Sequence, residues 1–313
     1  MKIYDCFIFN HEIELLKIRL NILDKYVDKF IITEGDLTFT GSPKVSNYLK
    51  NKENFKKWEE KIIHNPIKIP NLKGPWEREI FSRNSMIDLD IFEDKDILIM
   101  SDSDEIPNPL VIKEWPNWIS SDTHFSLEQS CYAYWINNLY SNKWYGSRIA
   151  TYKYMKNKKA HDIREATEAE YELSGSIITN GGWHFTYLGD EKYIREKLSS
   201  FCHTEFDVPE ITDNISENLA KGKDILNRSK IKYKRVDLDY SFPEFLINNQ
   251  EKYSHLIKSS AGLNKLEIMN KPTFNQNNFQ IKKLKPNKFK KIFKRSISLI
   301  KRIPKKLYFL INN

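Results

Sequence analysis

The stretch ILIMSDSDEIPNP, residues 97 to 109, constrains the fold more tightly than any other part of the chain. Four apolar residues, Ile97 to Met100, run directly into Ser101, Asp102, Ser103, Asp104 and Glu105. Pro107 and Pro109 then stop the chain from continuing as regular structure. An apolar run this short, bounded by breakers, predicts a buried strand. Three carboxylates at its end repel one another and lose hydration, a cost that only a cation, a proton or open water relieves.

The residues before this stretch say what kind of sheet the strand belongs to. KIYDCFIF reads as a first strand, and EIELLKIRLNIL as an amphipathic helix with Ile13, Leu16, Leu20 and Leu23 on one face. VDKFIITE is a second strand ending at Glu34, followed by a polar turn. A lysine-rich helical stretch leads to a third strand, KIIHNPIKI. PWEREIFSRNSMIDLDIF then predicts a helix starting near Pro75, with Ile80, Met86, Ile87 and Ile91 at helical spacing. Strands alternating with helices give a parallel α/β sheet. Ligands of such sheets sit at the carboxyl ends of the strands, where Glu34, Asp102 and Asp104 fall.

Beyond residue 120 the pattern turns β-rich and aromatic, with GGWHFTYLG followed by a helix over DEKYIREKLSSFCH. Residues 208–270 read as a mostly helical extension of a domain spanning 1–207, and residues 271–287 have linker composition. The last segment, 288–313, carries Phe289, Ile292, Phe293, Ile297, Ile300 and Ile303 along one helical stripe. Charge is concentrated there. Twelve Lys/Arg and no Asp/Glu lie between Lys282 and Lys306, so the first 281 residues carry −4 although the whole chain carries +8. A basic segment with an apolar stripe predicts a helix lying on an anionic membrane surface. No nucleic-acid-binding module accompanies it.

Other function classes are excluded or weakened by what the chain lacks. Three widely spaced cysteines, Cys6, Cys131 and Cys202, do not make a disulfide framework. The N-terminal stretch holds Asp5, Glu12 and Glu14 and is no signal peptide, and no apolar run is long enough to span a bilayer. These features predict a cytoplasmic protein, peripheral on the inner face of a membrane. An EF-hand loop starting at Asp102 fails, because Pro107 stands where glycine is required. A phosphohydrolase with Asp102 as nucleophile stays open, as does an acidic turn that merely caps the next helix. Neither G-x-x-x-x-G-K nor G-x-G-x-x-G occurs, so phosphate binding would fall to a divalent cation held by the acidic strand end. That favours a metal-dependent nucleotide-sugar transferase.

Five segments, in order, carry a resemblance: YDCFIFNHEIELLKIRLNIL, FIITEGDLTFTGSPK, WEREIFSRNSMIDL, ILIMSDSDEIP and GGWHFTYLG with KLSSFCHTEFD. Over residues 3 to 260 the chain resembles glycosyltransferase family 17, whose known member adds the bisecting β1,4-linked N-acetylglucosamine to N-glycans. The resemblance implies a GT-A-like fold, a UDP-sugar donor (UDP-N-acetylglucosamine in that member), a divalent cation such as Mn2+ or Mg2+, and inversion at the anomeric carbon. Asp102 and Asp104 match the family's metal-binding acidic motif. Two departures are the missing N-terminal anchor and the added basic tail, and both bear on the acceptor.

Each remaining role is assigned from chemistry. Asp104 is the first choice of metal ligand, with Asp102 reaching the metal through water or meeting the ribose. His184 in GGWHF is a further ligand for metal or phosphate, since Gly181 and Gly182 permit close backbone approach. Arg83 and Lys44 suit phosphate oxygens, and Glu34 suits ribose or uracil. Deprotonating the acceptor hydroxyl needs a base within hydrogen-bond reach, for which Glu205 and Glu105 are the candidates. Trp183, Tyr134 and Trp135 are candidate platforms for sugar rings. The acceptor expected is a glycan or glycolipid, as in assembly of a cell-surface polysaccharide, and a catalytically inactive nucleotide-sugar-binding protein is the other alternative.

Overall fold

Four strands carry the first third of the chain: β1 (Ile3–Ile8), β2 (Lys29–Gly35), β3 (Ile62–Ile67) and β4 (Ile97–Asp102). The computed structural model, which describes residues 1–117, 123–165, 176–228, 231–259, 268–269 and 279–283, pairs them in parallel in the order β4-β1-β2-β3. The interiors of β1, β2 and β4 are buried residue after residue, as expected of parallel strands covered on both faces. Helix α1 (Ile13–Leu23) links β1 to β2, and α2 (Asn47–Lys50) with a following 3-10 turn leads to β3. Helix α3 (Pro75–Asn84) precedes β4 and starts with proline in its first turn, where a missing N–H costs nothing.

Two expectations need correction. The helical spacing that extends to Ile91 in the sequence ends in the structure at Asn84. Met86 and Ile87 reach the core through turns closed on Arg83 and Asn84, and Ile91 is exposed. Asn84, Ser85, Asp88 and Asp90 favour such local alternatives to helix. The prolines also do not end regular structure. After a turn at Ser103 and Asp104 the chain forms β5 (Glu105–Pro107), and Pro109 opens α4 (Pro109–Glu114) behind the Asn108 cap.

The rest of the sheet is mixed. β6 (Phe125–Ala133), β7 (Asn138–Trp144) and β8 (Arg148–Thr151) precede α5 (Tyr152–Met155) and α6 (Ala160–Glu165). β9 (Ser176–Thr186) and α7 (Glu191–Ser200) follow. β8 joins the two halves by running antiparallel to β4, and β6 pairs with β7, β8 and β9. β10 (Lys234–Val236) adds to β7, β11 (Ile268–Met269) to β10, and β12 (Ile281–Lys283), inside the stretch read as linker, to β9. Among the described residues this makes one sheet of twelve strands. Phe242 and Leu256 share its main core with Phe7, Ile99 and Trp183, so the later helical turns pack on the same body. Segment 288–313, with its apolar stripe, lies outside the described residues.

The glycines of β9 permit close approach of neighbouring strands. A Cβ on Gly181 would lie 2.7 Å from Leu127 Cβ, and one on Gly182 (φ +145°) 2.2 Å from Ile106 O. Only glycine lets β9 come this close to β5 and β6. The result is a register that sets His184 opposite Glu105. All three cysteines are free and buried.

Candidate active site

The acidic turn is held first from below. Arg19, on the apolar stripe of α1 and fully buried, makes a bidentate pair with Asp5 of β1 (2.6 and 2.7 Å). Its Nη1 donates to the carbonyls of Asp102 (3.1 Å), Ser103 (3.3 Å) and Glu105 (2.7 Å), and Nη2 donates to Ser101 Oγ. One buried guanidinium thus fixes the backbone of the whole turn, using the planar fork that lysine lacks.

Each carboxylate of the turn then meets its own cations. Asp102 accepts from Arg83 of α3 (3.1 Å) on one oxygen and from Arg164 of α6 (2.7 Å) on the other. Burial would raise its pKa, but the two guanidiniums override that and hold the carboxyl below its ordinary value. Arg164 also spans both oxygens of Glu105 (2.7 and 2.8 Å), which accepts further from Trp144 Nε1 (2.6 Å) and from the Asp102 N–H (3.1 Å). The close fit needs Gly146, since a Cβ there would lie 1.7 Å from Glu105 Oε1.

Asp104 takes Lys197 Nζ of α7 at 2.7 Å and His184 Nε2 of β9 at 3.5 Å. Burial opposes its ionisation, and Lys197 and His184 more than compensate, lowering the pKa far below the carboxylate range. The imidazole lies tilted against Trp144 with ring centroids 4.5 Å apart, and its Nδ1 lies 3.0 Å from Cys131 Sγ. Burial disfavours the imidazolium, yet the sulfur and the Asp104 carboxylate hold its pKa well above the ordinary histidine value.

These groups face a cavity of about 660 Å3 at the carboxyl ends of β1, β2 and β4. Of the residues singled out in the sequence, Asp102, Asp104, Arg83, Lys44 and His184 line it. The carboxylates Glu34, Glu105 and Glu205 do not, nor do Trp183, Tyr134 and Trp135. Glu34 is 2 % exposed and is spent on Lys44, Ser46 Oγ and the backbone N–H groups of Asn47 and Tyr48, so it anchors the start of α2 rather than a nucleoside. Glu105 is fully buried with both oxygens engaged and cannot reach an acceptor hydroxyl, which removes it as a base. Glu205 is exposed outside the cavity and pairs with His203 Nδ1 at 2.8 Å. Trp183 and Tyr134 are buried, Trp183 with its Nε1 on Ser241 O, whereas the partly exposed Trp76 lines the cavity.

Sequence reasoning missed Arg19, Arg164, Lys197 and Trp144. Arg19 left a trace, a charged residue three positions after Leu16 on the apolar stripe of α1. Lys197 stands at the head of the quoted KLSSFCHTEFD without a role of its own. Arg164 and Trp144 left none, because only the pairing of distant strands brings them to the turn.

A divalent cation is tested by its donor set. Asp104 Oδ1 and His184 Nε2, 3.5 Å apart, are spaced as two ligands of one ion can be when each lies about 2.0–2.2 Å from it. Asp102 is less suited, because an arginine holds each of its oxygens. Among the described residues no group of three or more His, Cys, Asp or Glu is assembled to hold a metal. One or two protein ligands completed by substrate phosphates is nevertheless how magnesium-type ions are commonly held. Asp104 fits that pattern, and His184 would add a nitrogen donor once it gives up its proton.

Fold and site together define a mixed α/β protein with an ionic cavity at the carboxyl ends of its parallel strands. The family model of glycosyltransferase family 17 matches residues 1–261, and the chain belongs to that family. No curated protein matches the chain. Among solved structures, the crystal structure of S. aureus TarS 1-349 is similar at 13% identity and a TM-score of 0.37, a likeness too low to carry argument. The match covers 63% of this chain and 64% of that one, short of two thirds of its length. Within a glycosyltransferase family, the phosphohydrolase reading of Asp102 loses its ground. No helix among the described residues is long and apolar enough to cross a membrane.

Proposed function

We propose that the cavity binds a UDP-sugar, with N-acetylglucosamine as first choice, and transfers the sugar with inversion to a hydroxyl of a glycan acceptor, on a GT-A-like arrangement of the parallel strands. The observation that carries this reading is the acidic turn, with Asp104 beside His184 and Asp102 between two arginines at the cavity wall. A divalent cation on Asp104 and His184 would supply charge neutralisation for the departing diphosphate. Arg83 and Arg164, oriented by Asp102, present N–H groups to phosphate oxygens. Lys197 holds Asp104 in place until the donor arrives and is then free to turn toward phosphate. Cys131 and Trp144 fix the plane of the His184 ring, as outer partners of a ligand do.

Titration calorimetry of UDP and UDP-N-acetylglucosamine, with and without manganese, tests this on wild type and Asp104→Ala. The expected result is binding of both ligands that strengthens with manganese and falls at least tenfold in the variant, about 1.4 kcal/mol. Equal binding in both proteins, with or without metal, would remove the acidic turn from the donor site.

The basic segment 288–313 supports a second element of the proposal, that the enzyme works at an anionic membrane surface on a lipid-linked acceptor. Several Lys/Arg at about 1 kcal/mol each suffice to hold a protein there. Cutting the chain after residue 285 should abolish sedimentation with phosphatidylserine vesicles and leave UDP binding intact. Persistent sedimentation would refute the membrane role.

A further inference from the structure

The transfer step needs a proton acceptor, and neither Glu105, sealed in the core, nor Glu205, outside the cavity, can reach the acceptor hydroxyl. Helix α3 points to where it sits. Trp76, Glu79 and Arg83 stand at helical spacing on one face, and all three line the cavity. Arg83 is at the diphosphate end, paired with Asp102. Trp76, two turns earlier and about 10 Å along the helix, meets the ring of His203 edge-on with centroids 4.6 Å apart. A sugar ring fits between the two ends, so the Trp76 end is where an acceptor would enter.

We infer that His203 is the base of the transfer reaction and Glu205 its positioning residue, an inference that rests on the donor reading above. His203 lines the cavity while Glu205 does not, and the carboxylate takes Nδ1 at 2.8 Å. Nε2 is therefore the nitrogen left for the cavity. The carboxylate fixes the tautomer with its proton on Nδ1, leaving the Nε2 lone pair for a hydroxyl. Trp76, Phe201 and Phe206 surround the imidazole at centroid distances of 4.6, 5.3 and 5.8 Å and hold the ring in place. Glu79 is the rival carboxylate on this wall, but it is buried and Arg83 already occupies one of its oxygens at 2.5 Å.

The step balances without a co-reactant. The acceptor oxygen forms its bond to the anomeric carbon as the bond from that carbon to the diphosphate oxygen breaks, its electron pair leaving with UDP. The hydroxyl proton passes to His203 Nε2, giving an imidazolium stabilised by Glu205, and then leaves to solvent at the cavity mouth.

Water can take the place of the acceptor, so hydrolysis of the donor tests the assignment without knowing the natural acceptor. UDP release from UDP-N-acetylglucosamine, UDP-glucose and UDP-galactose is measured with manganese on wild type, His203→Gln, Glu205→Gln and the double variant, with UDP affinity measured beside it. The expected result is a fall in kcat of about 100-fold for His203→Gln, with UDP affinity unchanged and partial rescue by added imidazole. Glu205→Gln should cost about tenfold in kcat at unchanged KM. It should cost nothing further when His203 is already gone, a non-additivity that a merely structural role would not produce. Unchanged kcat in His203→Gln, with UDP still bound, overturns the assignment and leaves the donor reading standing. A wild-type protein that binds no UDP and hydrolyses none of the three donors overturns both.

Discussion

The parallel half of the sheet and the mixed half contribute opposite charges to the same cavity. β4 and the turn after it bring Asp102, Asp104 and Glu105 within four residues. α6, β9 and α7 bring Arg164, His184 and Lys197 from positions 59 to 95 residues further along the chain. An acidic strand end is unstable alone, and a basic cleft without it would be unfixed. Each half supplies what the other lacks, and the candidate site depends on the pairing of β8 with β4 and of β9 with β5. Arg19, Lys44 and Arg83 are the exceptions, cations already present in the first half.

The two sources of cation differ in what they hold, and this sets the size of the effect when each is removed. Arg19→Met strands the fully buried Asp5 and leaves three carbonyls of the turn without their donor. Breaking a fully buried pair in this way costs about 3–5 kcal/mol. Arg164→Met strands less, since Glu105 keeps Trp144 and the Asp102 N–H, and Asp102 keeps Arg83. About 1–3 kcal/mol is expected, the desolvation cost of an under-satisfied buried group. Urea unfolding of both variants, compared at equal slope, checks the order. A larger loss for Arg164→Met would mean that the mixed half, not α1, determines the conformation of the turn.

The same contrast explains what was legible in the sequence. Ile97 to Met100 announce a buried strand, and the strand–helix alternation announces the parallel sheet that carries it. The acids were legible because they are contiguous and stand where such sheets place their sites. Glu34 was legible as a strand end yet misread in role, because the Ser46 and Asn47 groups that occupy it lie across a turn of irregular conformation. Glu105 differs from Asp104 by one position, and the turn sends one carboxylate into the core and the other to the cavity, a divergence no spacing rule reports. Arg164 and Trp144 follow from register. Gly146 marks the site of close approach only after Glu105 is known to lie beneath it. His203 was visible but unreadable, because its significance comes from α3, over a hundred residues earlier, aiming Trp76 at it.

An effect that appears only as the pH falls lies in the mixed half, away from the cavity, and it separates fold from chemistry. His124, 5 % exposed, sits beside Tyr154 OH at 2.9 Å. Burial first, then the charges of Arg148 and Lys158, push its pKa down to about 4. An unfolded chain holds that proton below about 6.5, so between the two values the unfolded state binds more protons than the native one. Stability contributed at this position is therefore complete above pH 6.5 and declines as the pH falls toward about 4, by at most about 1.4 kcal/mol per pH unit. His124→Gln removes the titrating group, and the difference between its stability and that of wild type should shrink or reverse over this window while staying constant above it. A difference that does not vary with pH would show that the histidine is hydrated or charged in the native state. The site groups on Asp104 are the same in both proteins, so they cancel in the difference, and the slope reports packing of the mixed half alone.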